Sequence, residues 1–227
     1  MATMQEHEYS SALFAQAVEA FTLLPGVGRK SAERFLLHLL GHPEEERARF
    51  VTALSQCVHD IKHCPGCHGY SDDGGLCSLC SDPRREEHTL CVVADVRDVM
   101  ALERAQHYRG RYFVLGGLID PIAGLGPDQL AIEPLLRAAQ QPAVQEIIIA
   151  LSSTMEGETT TYYLQRRLQP LGRTLSVPAR GIAFGESIEQ TDEITLSRAF
   201  QNRLVLTPVA EGQPTTQVDS LQTKPLP

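Results

Sequence analysis

Two Cys-x-x-Cys turns, Cys64-Pro-Gly-Cys67 and Cys77-Ser-Leu-Cys80, stand nine residues apart and limit this chain more than any other feature. Each turn can present two thiolates to a single centre. Together they predict a tetrahedral site of four soft ligands, a donor set that suits zinc. The stretch between them, HGYSDDGGL, is polar and glycine-rich, as a turn between two metal knuckles should be. Four protein ligands leave no open coordination position, so one structural Zn²⁺ per chain is expected. A redox pair or an iron–sulfur centre is the competing reading, and two matched pairs this close disfavour a thioredoxin-type motif. His63 and His68 flank the ligands and are expected to be bystanders. Cys57 and Cys91 sit in apolar contexts and are expected to be small core residues.

The chain opens MATMQEHEYSSALF, without a basic stretch followed by a long apolar run. No secretory signal is expected, and a reducing cytoplasm, where lasting disulfides are rare, is the expected compartment. No window of 18 uninterrupted apolar residues occurs, so no membrane span is expected. The 227 residues carry 20 Lys+Arg against 28 Asp+Glu, a formal net charge of −8. That balance disfavours a nucleic-acid binder that is basic over its whole surface and leaves room for a local basic patch.

Periodicity divides the remainder. Apolar residues at Leu13, Phe14, Val18 and Phe21 predict a helix over 9–22. Helices are expected over 29–40 and over 44–61, the last with Phe50, Leu54, Val58 and Ile61 facing inward. Beyond residue 88 short apolar runs alternate with helical patterns. Strands are expected at 90–94, 112–115, 145–151 and 175–177, and helices at 95–106, 129–139 and 157–171. Such alternation predicts βαβ units and a mostly parallel sheet. The expected organisation is α+β and multi-module. A helical region with a helix-hairpin-helix covers 1–62, a four-cysteine zinc finger 63–83, an α/β domain with its C-terminal segment 84–204, and a mobile tail 205–227.

The first two helices are joined by LPGVGRKSA. Gly26 and Gly28 let backbone N–H groups approach a phosphate, and the helix that follows adds partial positive charge at its N-terminus. Arg29, Lys30 and Arg34 add side-chain charge, opposed locally by Glu33. Such a surface grips the backbone without reading bases. The plainer reading is an ordinary helical connection with solvated basic residues. In the α/β half, Asp95, Glu156 and Glu158 lie just beyond expected strands, where ligands gather in open parallel sheets. They could bind magnesium, or the glutamates could simply favour the start of the next helix. The glycine-rich stretch 116–127 lacks the Walker A pattern.

Taken in order, LPGVGRKSAERFLLHLL, CPGC…CSLCSDPRR, LCVVADVRDVMALE, YFVLGGLIDPIAGLGPDQLAI, STMEGETTTYYLQRRL and ARGIAFGESIEQTDEITLSRAF resemble the RecR family of bacterial recombination mediators. The resemblance covers about residues 10–204. It implies a Toprim fold for the α/β half and a non-enzymatic role in recombinational DNA repair. That role is a clamp and adaptor that binds single-stranded and gapped duplex DNA. It works with RecO and RecF to place RecA on gapped single strands, and is nucleoid-associated during repair. It also implies a homo-oligomer, a tetramer or a dimer, in which the hairpins line a hole. Lys30 and Arg34 are then the expected DNA contacts, with Arg29 a weaker candidate. Glu156 and Glu158 fall at the acidic segment used for partner binding. The segment GESIEQTDEITL resembles a stretch described as Walker B-like.

Three positions depart from the family pattern. The first α/β strand usually ends in glutamate and here reads Val92-Val93-Ala94, with Asp95 next. The usual N-P-T is Ser152-Ser153-Thr154, and the usual G-G-x-L-E-Y is Gly185-Glu186-Ser187-Ile188-Glu189-Gln190. A catalytic Toprim domain uses that glutamate as acid/base or metal ligand. The alternative function, a metal-dependent Toprim nuclease or strand-passing enzyme built on Asp95, Glu156 and Glu158, would lack it.

Overall fold

A computed structural model describes residues 9–179, 181–182 and 185–202. They divide into two compact units, with the boundary between Val177 and Pro178. The stretch 205–227 lies outside the described residues.

The first unit begins with helices α1 (Ala12–Thr22), α2 (Arg29–Leu40) and α3 (Glu44–Asp60). α1 starts at Ala12 rather than at residue 9 because Ser11 caps it, its hydroxyl accepting the Phe14 N–H at 3.3 Å. Pro25 and Gly26, at φ +79°, turn the chain, and Gly28 leads into α2. A small core of Val18, Ala32 and Leu36 joins α1 to α2, with Phe14, Phe21 and Val27 packed against it. α3 corrects the inward-facing stripe expected of it. None of its residues is buried, Phe50 and Leu54 are exposed, and Val58 is 71% exposed. Cys57 lies on the same helix and is exposed rather than in a core, whereas Cys91 is buried. Periodicity specifies a stripe, and a stripe is buried only where a partner covers it.

The cysteine module follows. A short antiparallel pair, β1 (Lys62–His63) and β2 (Tyr70–Ser71), precedes a single helical turn, α4 (Ser78–Ser81). Next come β3 (Glu86–Val93), α5 (Val96–Ala105), β4 (Gly110–Val114), α6 (Ile132–Ala139), β5 (Glu146–Ile149), α7 (Met155–Leu168) and β6 (Thr174–Ser176). The four longer strands form one wholly parallel sheet in the order β4-β3-β5-β6. Val92 pairs with Phe113 on one side and Ile149 on the other.

Side chains alternate across the sheet with the period of two that strands impose. Leu90, Val92, Phe113, Ile147 and Ile149 face α6 and α7, where Leu135, Leu164 and Leu168 complete the larger core. Cys91, Val93, Tyr112 and Val114 face Val99 of α5 on the other side. α6 begins at Ile132 rather than 129, after a 3₁₀ turn at Pro127–Gln129. Pro134 sits in its first turn, where a missing N–H removes no intrahelical bond.

One buried hydroxyl ties α7 to the glycine-rich loop. Thr160 is fully buried, donates to the Glu156 carbonyl at 2.7 Å, and accepts the Ile119 N–H at 2.8 Å. Thr160→Val keeps the shape and strands that N–H. It is expected to lower stability by about 1–3 kcal/mol, read as a shifted urea midpoint.

In the second unit, α8 (Glu193–Gln201) is capped by Asp192, whose carboxylate accepts the Ile194 and Thr195 N–H groups at 3.1 and 2.9 Å. These bonds, the Thr195 N–H foremost, hold the Asp192 carboxyl below its usual range. Asp192, one of the acids in the GESIEQTDEITL segment, is thus a helix cap here.

Candidate metal centre and nucleic-acid interface

The sulfur atoms of Cys64, Cys67, Cys77 and Cys80 all lie within 4.8 Å of one another. Tetrahedral coordination at a Zn–S distance of about 2.3 Å asks for sulfurs roughly 3.8 Å apart. Cys67 and Cys77 sit 3.5 Å apart, close to that requirement. Cys64, Cys67 and Cys80 are buried and Cys77 is half-buried. Backbone N–H groups point at the sulfurs: Gly69 donates to Cys67 at 3.4 Å and Cys77 donates to Cys64 at 3.3 Å. His68, in the left-handed region at φ 60°, closes the first knuckle through its N–H to the Cys64 carbonyl at 2.8 Å.

The electrostatics show what the chain can do by itself. A hydrogen bond from Cys80, helped by the Gly69 N–H, holds the Cys67 thiol down to about 5. Burial pushes Cys77 up, and Cys80 is pushed up strongly by its bond to Cys67. The protein therefore favours a thiolate at Cys67 and disfavours one at Cys77 and Cys80. A bound cation removes that conflict, because a coordinating thiol is deprotonated outright. The donor set, its spacing and its burial fit a metal ion. His63 and His68 stack on each other at 4.5 Å, outside the set of four.

The cysteine module is fastened to the parallel sheet. β4 is an edge strand, and its Val114 N–H donates to the Cys67 carbonyl at 2.8 Å. Arg111 donates to the Cys80 carbonyl at 2.7 Å, and Leu79 packs beside the α5-side core. The module thus covers an edge that would otherwise offer unpaired backbone groups. Behind it, Arg85 bonds Glu103 at 2.5 Å and lies over Tyr112, whose hydroxyl donates to Glu103 at 2.7 Å. Sequence reasoning did not find this network, which joins residues far apart along the chain.

The three basic residues of the hairpin differ in their surroundings. Arg29 Nε donates to the Tyr9 hydroxyl at 3.1 Å and its guanidinium lies over the Tyr9 ring, while that hydroxyl bonds Glu33. Lys30 and Arg34 are exposed on α2, four residues and hence one turn apart. The two side chains rise about 6 Å along one helix face. Arg34 also lies over Phe35, 5.5 Å from the ring centroid. No heavy atom comes within 4 Å of a Cβ placed on Gly26 or Gly28, so the turn backbone stands open to a ligand.

At the carboxyl ends of the strands the acidic residues are occupied with helix starts. Asp95 accepts the Arg97 N–H at 2.8 Å, and Asp98 accepts the Asp95 N–H at 3.0 Å, forming a reciprocal cap on α5. The Arg97 guanidinium holds the Asp95 carboxyl below its usual range. Glu156 and Glu158 sit in the first turn of α7, which Thr154 caps by accepting the Gly157 N–H at 3.2 Å. Among the described residues, the four cysteines are the one group of three or more potential ligand side chains whose donor atoms converge within 4.8 Å. Asp95, Glu156 and Glu158 are not brought together into a second such group.

A helix-hairpin-helix, a four-cysteine centre and an α/β domain with a parallel sheet define a multi-module architecture of the Toprim class. Residues 88–179 match the Toprim domain family, residues 14–58 the RecR helix-hairpin-helix, and residues 181–204 the RecR C-terminal segment. The recombination protein RecR of Porphyromonas gingivalis is 48% identical over 196 residues, spanning 86% of this chain and 94% of its own length. That of Bacteroides fragilis is 46% identical over 200 residues, spanning 88% and 97%. That of Synechococcus elongatus is 46% identical over 193 residues, spanning 85% and 96%. The chain belongs to the RecR family.

Proposed function

We propose that this protein is a non-enzymatic DNA-binding clamp and adaptor in recombinational repair. The observation that carries the reading is the pairing of Lys30 and Arg34 on one exposed face of α2, beside an open Gly26–Gly28 turn. The turn supplies backbone donors, the helix start supplies partial charge, and the two side chains supply full charges spaced for successive phosphates. Arg29 is the weaker contact, because Tyr9 already holds its side chain. The recombination role follows from the relatives' own name, recombination protein RecR.

The metal of the four-cysteine centre is Zn²⁺, one per chain and structural, since four thiolates in tetrahedral spacing suit it and leave no open position. RecO and RecF are the partners, met through Glu156 and Glu158 in the first turn of α7, and the outcome is RecA loading on gapped single-stranded DNA. A homo-oligomer, tetramer or dimer, reconciles the net charge of −8 with DNA binding. A ring can gather several copies of Lys30 and Arg34 on an inner wall while its outside stays acidic. The protein acts in the bacterial cytoplasm, at the nucleoid during repair. Among the described residues no helix is long and apolar enough to cross a membrane.

The test is the salt dependence of duplex and gapped-DNA binding. Each lost phosphate contact lowers the slope of log K against log salt by about 0.9 on duplex. Lys30→Ala is expected to reduce the slope by about that amount for each engaged subunit, and Lys30→Ala with Arg34→Ala by about twice as much. Unchanged affinity and slope in the double variant would sink the reading. Labelled gapped duplex incubated with protein and Mg²⁺ or Mn²⁺ should stay intact on a denaturing gel. Cut products that disappear in Glu156→Ala would establish the enzyme alternative instead.

A further inference from the structure

The corner between α2 and α3 holds a histidine pair that the DNA-binding reading leaves unused. The His42 N–H donates to the Leu39 carbonyl at 3.1 Å, so the helical turn continues past Gly41 and brings His38 and His42 to one face. Their Nε2 atoms are 3.2 Å apart. The other nitrogen of His42, Nδ1, lies 2.7 Å from the Glu46 carboxylate in the first turn of α3. That bond fixes the His42 tautomer. In the neutral ring Nδ1 carries the proton for Glu46, since a carboxylate only accepts, and Nε2 is left with its lone pair toward His38.

Two arrangements suit nitrogens so placed. In one, His38 Nε2–H donates to His42 and the three residues form a hydrogen-bond chain. In the other, His38 takes the opposite tautomer and both lone pairs meet a cation. Two imidazole nitrogens bound at about 2.0–2.1 Å to one metal stand roughly 2.9–3.4 Å apart, which brackets the observed separation. The ring centroids are 4.7 Å apart with planes at 83°, closer than two rings meeting nitrogen to nitrogen along one line would be. The carboxylate on the far nitrogen of His42 is the outer partner that metal-bound histidines commonly have. Histidines four residues apart on one helical face are also a recurrent ligand spacing. The pair borders an apolar cavity of about 430 Å³ that Phe21, Phe35, Leu39 and Phe50 line. Its wall lowers the local dielectric on one side, while His42 remains 40% exposed and open to entry from solvent.

We propose that His38 and His42 form a second metal site, for a borderline divalent transition ion such as Ni²⁺, Co²⁺ or Zn²⁺, with Glu46 orienting His42. Two protein ligands leave several positions to water, so the site is exchangeable, unlike the closed four-cysteine centre. An ion there would bridge the end of α2, which carries Lys30 and Arg34, to the start of α3, which has no buried residue of its own.

The experiment is a calorimetric Ni²⁺ titration of the full chain with its four-cysteine centre loaded with zinc. Co²⁺ serves as a second probe, because cobalt on nitrogen and oxygen lacks the sulfur charge-transfer band that cobalt on cysteine shows. One Ni²⁺ per chain is expected, lost in His38→Gln and in His42→Gln, and weakened about tenfold or more in Glu46→Gln. His63→Gln should leave it unchanged. Thermal melts of each variant check that folding is retained. If wild type takes no Ni²⁺, or if the His38 and His42 variants bind as wild type does, the cluster is a hydrogen-bond chain only and the proposal is wrong.

Discussion

Gly157→Ala is expected to lower the stability of the α/β domain by at least about 3 kcal/mol, more than the substitution of any solvent-facing residue. A Cβ at this position would stand 2.0 Å from the Ser152 carbonyl oxygen, 2.8 Å from its hydroxyl and 2.9 Å from its carbonyl carbon. The obstacle is mostly backbone, which cannot swing aside as the end of a long side chain can. The surrounding bonds leave the segment little room to give. Thr154 accepts the Gly157 N–H at 3.2 Å, its hydroxyl lies 3.1 Å from that of Ser152, and its carbonyl accepts the Glu158 N–H at 2.9 Å. On one side the segment leads back into β5, whose Ile149 is buried, and on the other into α7, anchored by buried Thr160 and Leu164. Urea unfolding measures the cost, and Gly126→Ala is the control. No heavy atom lies within 4 Å of a Cβ on Gly126, so the control should shift the midpoint little. If the two variants unfold alike, the tight approach at Ser152 is not a constraint on the fold. The result also bears on the partner reading. Glu156 and Glu158 flank this glycine, so a change of Gly157 that weakened RecO binding would report a displaced turn and not a lost contact. Glu156→Ala is the cleaner probe.

The sequence was most legible where its constraints are local. The four-cysteine centre follows from spacing within about 17 residues, and the structure brings all four sulfurs together. α2 occupies the span its pattern predicts, because Gly28 and Gly41 bracket an amphipathic run. The βαβ alternation gave a parallel sheet, but the order β4-β3-β5-β6 depends on which strands meet across crossovers, and local pattern is silent on that. The stripe on α3 was misjudged for a related reason. Phe50, Leu54 and Val58 have helical spacing, and nothing in that spacing says whether a partner covers them. Asp95, Glu156 and Glu158 looked like a ligand cluster because each follows a strand. Asp95 is spent on the α5 cap, which a pattern of Asp three residues before Asp98 could have announced. The His38–His42–Glu46 corner escaped notice because it crosses the break between two helices at Gly41 and Pro43, so it lies within neither periodic segment.

Stripping the metal from the four-cysteine centre should undo the cysteine module and expose the β4 edge, while the rest of the sheet persists. Structural zinc in finger peptides is held by apparent free energies of about 10–16 kcal/mol near neutral pH, energy that is also folding energy for so small a module. Within itself the module has little else to hold it. Its buried apolar cluster consists of the cysteines themselves, with two short strands and a single helical turn around them. Without a cation, Cys77 and Cys80 revert to thiols, since their surroundings raise both, and the buried set loses the charge attraction that gathers it. Acid should act in the same direction, because protons compete with metal for every sulfur, so metal release is expected to rise as pH falls. Two bonds would then fail together: Val114 N–H to the Cys67 carbonyl, and Arg111 to the Cys80 carbonyl. Amide exchange reads the first directly. In the metal-loaded protein the Val114 amide should exchange slowly. In protein stripped by chelator, or in Cys80→Ser, it should exchange at least about tenfold faster. The Ala150 amide, bonded to the Val92 carbonyl inside the sheet, should stay protected in both states. Metal analysis of the purified chain should return one zinc per chain from this centre, and none from Cys80→Ser. A Val114 amide that remains protected in metal-free protein would mean that the module docks on β4 without its ion, and the structural role assigned to the metal would have to be given up.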